Sequence, residues 1–378
     1  MARAYLDHAS SSPLRPAALE AMLPFLTASF GDPARLHAEG RVTRVAIEDA
    51  REQVATLFGA RPREVVFTSS GTEAVNHAIW GGVRRAGLGG AIVTTAVEHS
   101  SVLDACRREP GELTLIGVDA RGRFDPAEIA SVITDDTALI SVQLANHEVG
   151  TRQPVAAVCE IARARGVLVH VDACTGAGHV PIDFAALNAD LLSVSAHKLG
   201  GPKGIGALLI RRGLRIPPLI IGGAQERERR GGLENVPAIV GFGAAAAELA
   251  ADGRLAAEAA SSRRITDEIV RGATTTIPDV EQYGDPDDRV PHLVCLGIEG
   301  VEAEPILLAL DQHGVAVHSG SACSSEALEP SPVLEAMGAD ADRSLRVSTG
   351  WSSTAADART LLDELPGIVT ALRALRSR

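Results

Sequence analysis

Between about residues 60 and 210, apolar and polar positions follow two alternating rhythms. Glu64-Val65-Val66-Phe67-Thr68 has the β-rich character of a strand, and Thr72 to Arg85 has the spacing of an amphipathic helix. The same pair recurs: Ala91 to Thr95 then Ser100 to Arg108, and Ala138 to Leu144 then Pro154 to Arg165. Further strands are predicted over Val167 to Val171, Asp190 to Val194 and Ile205 to Ile210. Strand–helix alternation of this kind builds right-handed βαβ units and a mostly parallel sheet covered by helices. In such sheets ligands sit beyond the carboxyl ends of the strands.

From residue 238 to 272 the pattern becomes one or two long Ala-rich helices, with Gly253 as a break. Shorter alternating runs follow at Val290 to Ile298 and Ser344 to Ser348, then a C-terminal helix. The change of rhythm predicts an α/β chain of two domains. A large domain spans residues 13–250; a smaller α+β domain spans residues 251–378 together with residues 1–12.

Composition narrows the function. The chain has 378 residues, a formal net charge of −12 and 3% aromatic residues. That acidic balance and the scarce aromatics argue against a nucleic-acid binder, which would show a basic face or stacking platform. No apolar run reaches membrane-spanning length. The N-terminal stretch is broken by Asp7 before an apolar region forms, unlike a secretory leader. Five irregularly spaced Cys predict free thiols, no metal site and a reducing cytoplasm.

Of the 36 basic residues only two are lysines, Lys198 and Lys203. Chemistry that needs a neutral side-chain amine must use one of them, because guanidinium is not a nucleophile. Lys198 ends a buried run in Ser195-Ala196-His197-Lys198, where a lysine can form a Schiff base with an aldehyde cofactor. Pyridoxal phosphate also needs a carboxylate at its ring nitrogen, and Asp172 ends the run Val169-His170-Val171-Asp172. It needs a phosphate cradle, and Ser70-Gly71-Thr72 opens a helix. His99 follows another strand, placed to stack on a ring and shuttle protons. Cys323 stands in the small, polar segment Ser319-Gly320-Ser321-Ala322-Cys323-Ser324-Ser325, as an accessible thiol would. Cys106, Cys159, Cys174 and Cys295 are expected to be small buried hydrophobes.

Together these segments resemble the cysteine desulfurases of the NifS/IscS kind, in the class V aminotransferase family. The match runs in order from Tyr5-Leu6-Asp7-His8-Ala9 through Ala145-Asn146-His147-Glu148-Val149-Gly150 to Arg346-Val347-Ser348. The resemblance implies a fold-type I transferase dependent on pyridoxal 5'-phosphate. It implies that Lys198 holds the cofactor, Asp172 pairs with its ring nitrogen and His99 stacks on it. Gly71, Thr72, Ser195 and His197 would bind the phosphate; Thr175 would lie at the ring hydroxyl. Asn146 would contact cofactor and substrate, and Arg346 would grip the carboxylate of L-cysteine. Cys323 would take the substrate sulfur as a persulfide, release L-alanine and pass sulfur to an acceptor protein, such as an iron–sulfur scaffold or a thiolation enzyme. A homodimer is implied. A selenocysteine lyase or other C–S lyase on the same fold, and a catalytically weak scaffold subunit, are the alternatives. Three positions depart from the family pattern: Thr175 stands for Gln, Leu233 for Thr, and His147 for the second Asn of Asn-Asn-Glu. They cluster at the cofactor, so the expectation is a looser hold on it or a specialised pathway role.

Overall fold

The computed structural model describes residues 3–86, 89–320 and 330–376. Its centre is a seven-stranded sheet. The spatial order is Val65–Thr68, Gly206–Ile210, Leu191–Ser195, Leu168–Asp172, Thr137–Gln143, Ala91–Thr95 and Leu113–Ile116. Every pairing is parallel except the two made by Gly206–Ile210. That strand returns directly from Ser195 through Gly200 and Gly204, whose φ values of +86° and +78° suit glycine. Such a short return cannot make a parallel crossover. Gly206 is also a contact point: a Cβ there would lie 2.6 Å from the Ser70 carbonyl carbon and 2.7 Å from Val194 O.

The central strands Thr137–Gln143, Leu168–Asp172, Leu191–Ser195 and Gly206–Ile210 are buried along their whole length, which explains their near-continuous apolar runs. The predicted helices are present as Gly71–Ala86, Ser100–Arg108 and Val155–Arg165. The Ala-rich stretch is two helices, Val236–Ala250 and Arg254–Thr276, separated by Gly253 at φ +72°. Among the described residues no single helix is long and apolar enough to cross a membrane. Pattern reading left out the edge strand Leu113–Ile116, only partly buried, and the helices Pro16–Thr27, Ala38–Leu57 and Ala303–Gln312.

A second sheet has the antiparallel order His318–Ser319, Ser344–Ser348, Leu293–Ile298, Val280–Tyr283. Its apolar cluster joins Ala4 and Leu6 to Ile265, Leu296, Ile306, Leu345 and Leu361. The N-terminal strand Ala4–Tyr5 pairs in parallel with Val315–Ala316, so the first residues pack with the C-terminal part of the chain.

Candidate active site

The parallel strands deliver their chemistry to one edge of the large sheet. Past Thr95 comes His99, past Gln143 the turn Asn146–Gly150, at the tip of its strand Asp172, and past Ser195 the turn carrying Lys198. A cavity of about 340 Å³ opens there. Gly71, Thr72, His99, Asp172, Thr175, Ser195, His197, Lys198 and Arg346 all line it, so residues spread over more than half the chain converge.

Each group is held by its own element. Asp172 Oδ1 accepts the Cys174 N–H at 3.0 Å and the Ser193 hydroxyl at 3.1 Å, which fixes a largely buried carboxylate. Lys198 lies one tight turn beyond its strand, not at the strand's last residue, and Nζ donates to the Ala9 carbonyl. The N-terminal segment therefore forms part of the wall. His99 caps the helix Ser100–Arg108: its Nδ1 accepts the Ser101 N–H at 3.1 Å. Burial lowers its pKa, with the Lys198 charge adding to the effect and Asp172 opposing it. Ser195 Oγ and His197 Nδ1 are 2.8 Å apart, and burial, then Lys198 and Lys203, push His197 down to about 4. Both imidazoles are thus neutral near pH 7.

The end of the cavity suited to an anion is the N-terminus of Gly71–Ala86, a helix long enough to present free N–H groups and a positive dipole end. Gly71 is required there: a Cβ would sit 2.6 Å from Cys174 Sγ and 3.1 Å from Ser195 Cβ. Cys174 corrects one expectation. It is not a core hydrophobe like Cys106, Cys159 and Cys295 but a half-buried part of the cavity wall. Its neighbour Asp172 ends the strand two residues earlier, so the chain is already leaving the sheet.

Arg346 enters from the second sheet. Nη1 donates to the His147 carbonyl at 3.1 Å, and Nη2 donates to Asp7 Oδ1 at 3.1 Å and Ser10 Oγ at 2.8 Å. Its Nε is buried with no partner among the described residues. A buried N–H left over on a cavity-lining guanidinium is a place for an anionic ligand.

Asn146 lies in the turn beside the cavity. It is fully buried and does not line the cavity. Its Nδ2 donates to Val97 O at 3.1 Å, and its Oδ1 accepts the N–H groups of Glu148 and Val149, both at 2.9 Å. Its oxygen and one of its two amide N–H groups brace the turn. The side chain that reaches the cavity is the next one, His147, edge-on to His99 with ring centroids 5.1 Å apart. Cys323 lies outside the described residues. Leu233 is not in the cavity wall; it is 64% exposed.

The sequence profile described as aminotransferase class-V matches residues 4–361. A cysteine desulfurase IscS of Methanosarcina thermophila is 42% identical over 380 residues, covering 98% of this chain and 92% of the relative. The chain belongs to the cysteine desulfurases of the class V aminotransferase family. A cysteine desulfurase of Cereibacter sphaeroides is also 42% identical, over 99% of this chain and 98% of its own. A solved NifS-like protein superposes with a TM-score of 0.90 at 31% identity, covering 98% of this chain and 100% of its own. A structure of SspA in complex with cysteine gives 0.81 at 30% identity, covering 93% of this chain and 99% of its own. The family depends on pyridoxal phosphate in general, and the α/β fold with its mostly parallel sheet agrees with the expectation from strand–helix alternation.

Proposed function

We propose that this chain removes sulfur from L-cysteine, releases L-alanine and carries the sulfur on Cys323 to an acceptor protein. The observation that supports it is the meeting of amine, carboxylate, imidazole and guanidinium in one cavity at the strand ends.

The donor set suits pyridoxal phosphate. Lys198 would hold its aldehyde carbon, Asp172 its ring nitrogen, and the Gly71–Thr72 helix end with Ser195 and His197 its phosphate. Thr175 stands beside them in the wall. The side-chain-free floor at Gly71 leaves room that any Cβ would fill. When bound, the cofactor withdraws electrons from the substrate α-carbon. Arg346 grips the substrate carboxylate through the Nε that lacks a partner among the described residues. His99, neutral and at the cavity wall, accepts and returns a proton. The Cys323 thiolate attacks the substrate sulfur. An S–S bond forms, the Cβ–S bond breaks, and its electron pair stays with the carbon fragment, which leaves as alanine after protonation.

The same reading extends to assembly and compartment. Leu19, Leu23, Leu26, Phe30, Val45 and Leu233 are all more than two-fifths exposed. Burial against a second copy of the chain would cover such exposed apolar side chains. Residues 13–250 are assigned to the cofactor-binding domain, and 251–378 with 1–12 to the domain bearing Cys323. The reducing cytoplasm suits the four described thiols, which are free.

Alanine release from L-cysteine, measured with and without added pyridoxal phosphate, tests the function. Release should depend on the cofactor and vanish in Lys198→Ala. Release that is independent of the cofactor, or retained in that variant, would refute the assignment. The same preparations, dialysed and scanned in the visible, test the looser hold expected from Thr175 and Leu233. Full, undialysable occupancy would exclude it.

A further inference from the structure

The turn that carries Lys198 is held from outside at four consecutive carbonyls. His197 O accepts the Ser12 N–H at 2.9 Å, and Gly200 O accepts the Arg15 N–H at 2.9 Å. Leu199 O accepts Arg15 Nε at 2.9 Å. The peptide carbonyl of Lys198 itself is met by His179 Nε2 at 3.2 Å. Three of these donors belong to the N-terminal segment. His179 alone comes from the turn that follows Asp172 at the end of its strand.

The partner decides which ring nitrogen carries the hydrogen. A carbonyl oxygen can only accept, so Nε2 of His179 donates. The ring is 9% exposed and stacked on His292, with centroids 3.5 Å apart and planes within 12° of parallel. His292 stands just before Leu293–Ile298 of the second sheet, and its own carbonyl accepts the Thr349 N–H at 2.8 Å. The imidazole is therefore clamped from the far side of the hydrogen bond it makes. The two turns also touch directly. Gly178 has φ +79°, and a Cβ there would lie 2.4 Å from Leu199 Cβ. One turn leaves Asp172 and the other carries Lys198, and both side chains line the cavity. Contact between the turns thus sets the spacing of carboxylate and amine.

We propose that His179 is a positioning residue for Lys198: by holding the lysine's peptide carbonyl against the turn that follows Asp172, it keeps the amine where the aldehyde carbon of the cofactor arrives. The inference rests on the reading of Lys198 as the residue that holds pyridoxal phosphate, and it adds the support behind that residue. The Lys198 amine condenses with the aldehyde, a C=N bond forming as water leaves. His179 does not line the cavity and takes no part in that exchange; it acts only through the place of the nitrogen.

The test uses the full chain freed of cofactor and two probes. Pyridoxal phosphate engages both the phosphate cradle and the amine. Pyridoxamine phosphate, which has no aldehyde, engages the cradle alone. Dissociation constants are measured by calorimetry, and visible absorbance reports capture of the aldehyde. His179→Phe keeps a ring against His292 but has no N–H. It should weaken pyridoxal phosphate about fivefold, the worth of one net hydrogen bond, and leave pyridoxamine phosphate within about twofold. His179→Leu makes the same deletion and takes its place if the Phe variant does not fold. His179→Gln, which keeps an N–H donor, should recover most of the loss. Equal weakening of both probes would mean a purely structural role and overturn the proposal, as would unchanged binding of both. Lys198→Ala separates the two readings. A parent that binds both probes as Lys198→Ala does would sink the Lys198 reading and the proposal with it; His179 variants that match a normal parent would sink the proposal alone.

Discussion

At the scale of single residues, two lysines five positions apart have different surroundings. Lys198 lines the cavity beside Asp172 and His99, whereas Lys203 is exposed in the Gly/Pro turn. Lys198→Ala should remove the visible absorbance of the cofactor-loaded protein, and Lys203→Arg should leave it in place. Equal loss in both would mean that the turn, not the amine, matters. Gly71 carries a second prediction. Gly71→Ala should weaken phosphate and cofactor binding at least tenfold, because its Cβ meets Cys174 Sγ at 2.6 Å. Cys174→Gly in the same chain should recover part of that loss, a coupling expected of side chains in contact. Full additivity of the two changes, measured by cofactor titration, would contradict this contact. The catalytic residue types were legible because reactive side chains follow apolar strands at recognisable distances. The placement of the His147 ring at the cavity was not. Two adjacent polar residues fit the pattern equally, and only the turn decides that the amide closes backbone N–H groups while the imidazole faces the cavity.

At the scale of elements, burial made the central strands readable and left the edges obscure. Fully buried strands such as Leu191–Ser195 are continuous apolar runs, whereas Leu113–Ile116 pairs on one side only and is partly exposed. The reversed direction of Gly206–Ile210 was hidden, since apolar runs carry no polarity; the short glycine-rich return sets it. A buried ion pair locks the far edge. Arg51, on Ala38–Leu57, contacts both oxygens of Glu226 at 2.7 Å, and Glu226 also accepts the Phe67 N–H at 2.9 Å. Glu226 holds a left-handed φ of 47° to do so. Both side chains are at most 3% exposed. Glu226→Gln leaves the buried guanidinium with only the partly exposed Glu48, 3.4 Å from its Nε, as charge partner and should cost about 3 kcal/mol in urea unfolding. A loss below about 1 kcal/mol, typical of a surface pair, would show that the ion pair does not tie these elements together.

At the scale of the whole molecule, buried histidines set the acid limit of stability. Burial pushes His8, His170, His179 and His197 each down to about 4 from an ordinary 6.5. The unfolded chain therefore binds more protons than the fold between those values, and stability is lost as pH falls from about 6.5 to about 4. Glu98 and Glu148 act in the opposite sense. Burial raises them to about 8 and about 7 from an ordinary 4.5, so their contribution fades as pH rises through that range. The four histidines dominate the acid side and the two carboxyls shape the alkaline side. Thermal unfolding should give a Tm that drops below pH 6.5 and declines mildly from neutral to about pH 8; Glu98→Gln should flatten that decline. A Tm that rises between pH 6.5 and 8 would contradict the account. The exposed apolar residues predict a dimer in light scattering, and a monomer at assay concentration would remove the role given to that surface.

The most direct test of the central claim is a single turnover. Cofactor-loaded protein is mixed with less than one equivalent of L-cysteine, alanine is quantified, and the added sulfur is located by peptide mass spectrometry. The account predicts one sulfur on Cys323 for each alanine released, and neither product from Cys323→Ala. Undiminished alanine from that variant, or sulfur found on Cys174 in place of Cys323, would contradict it.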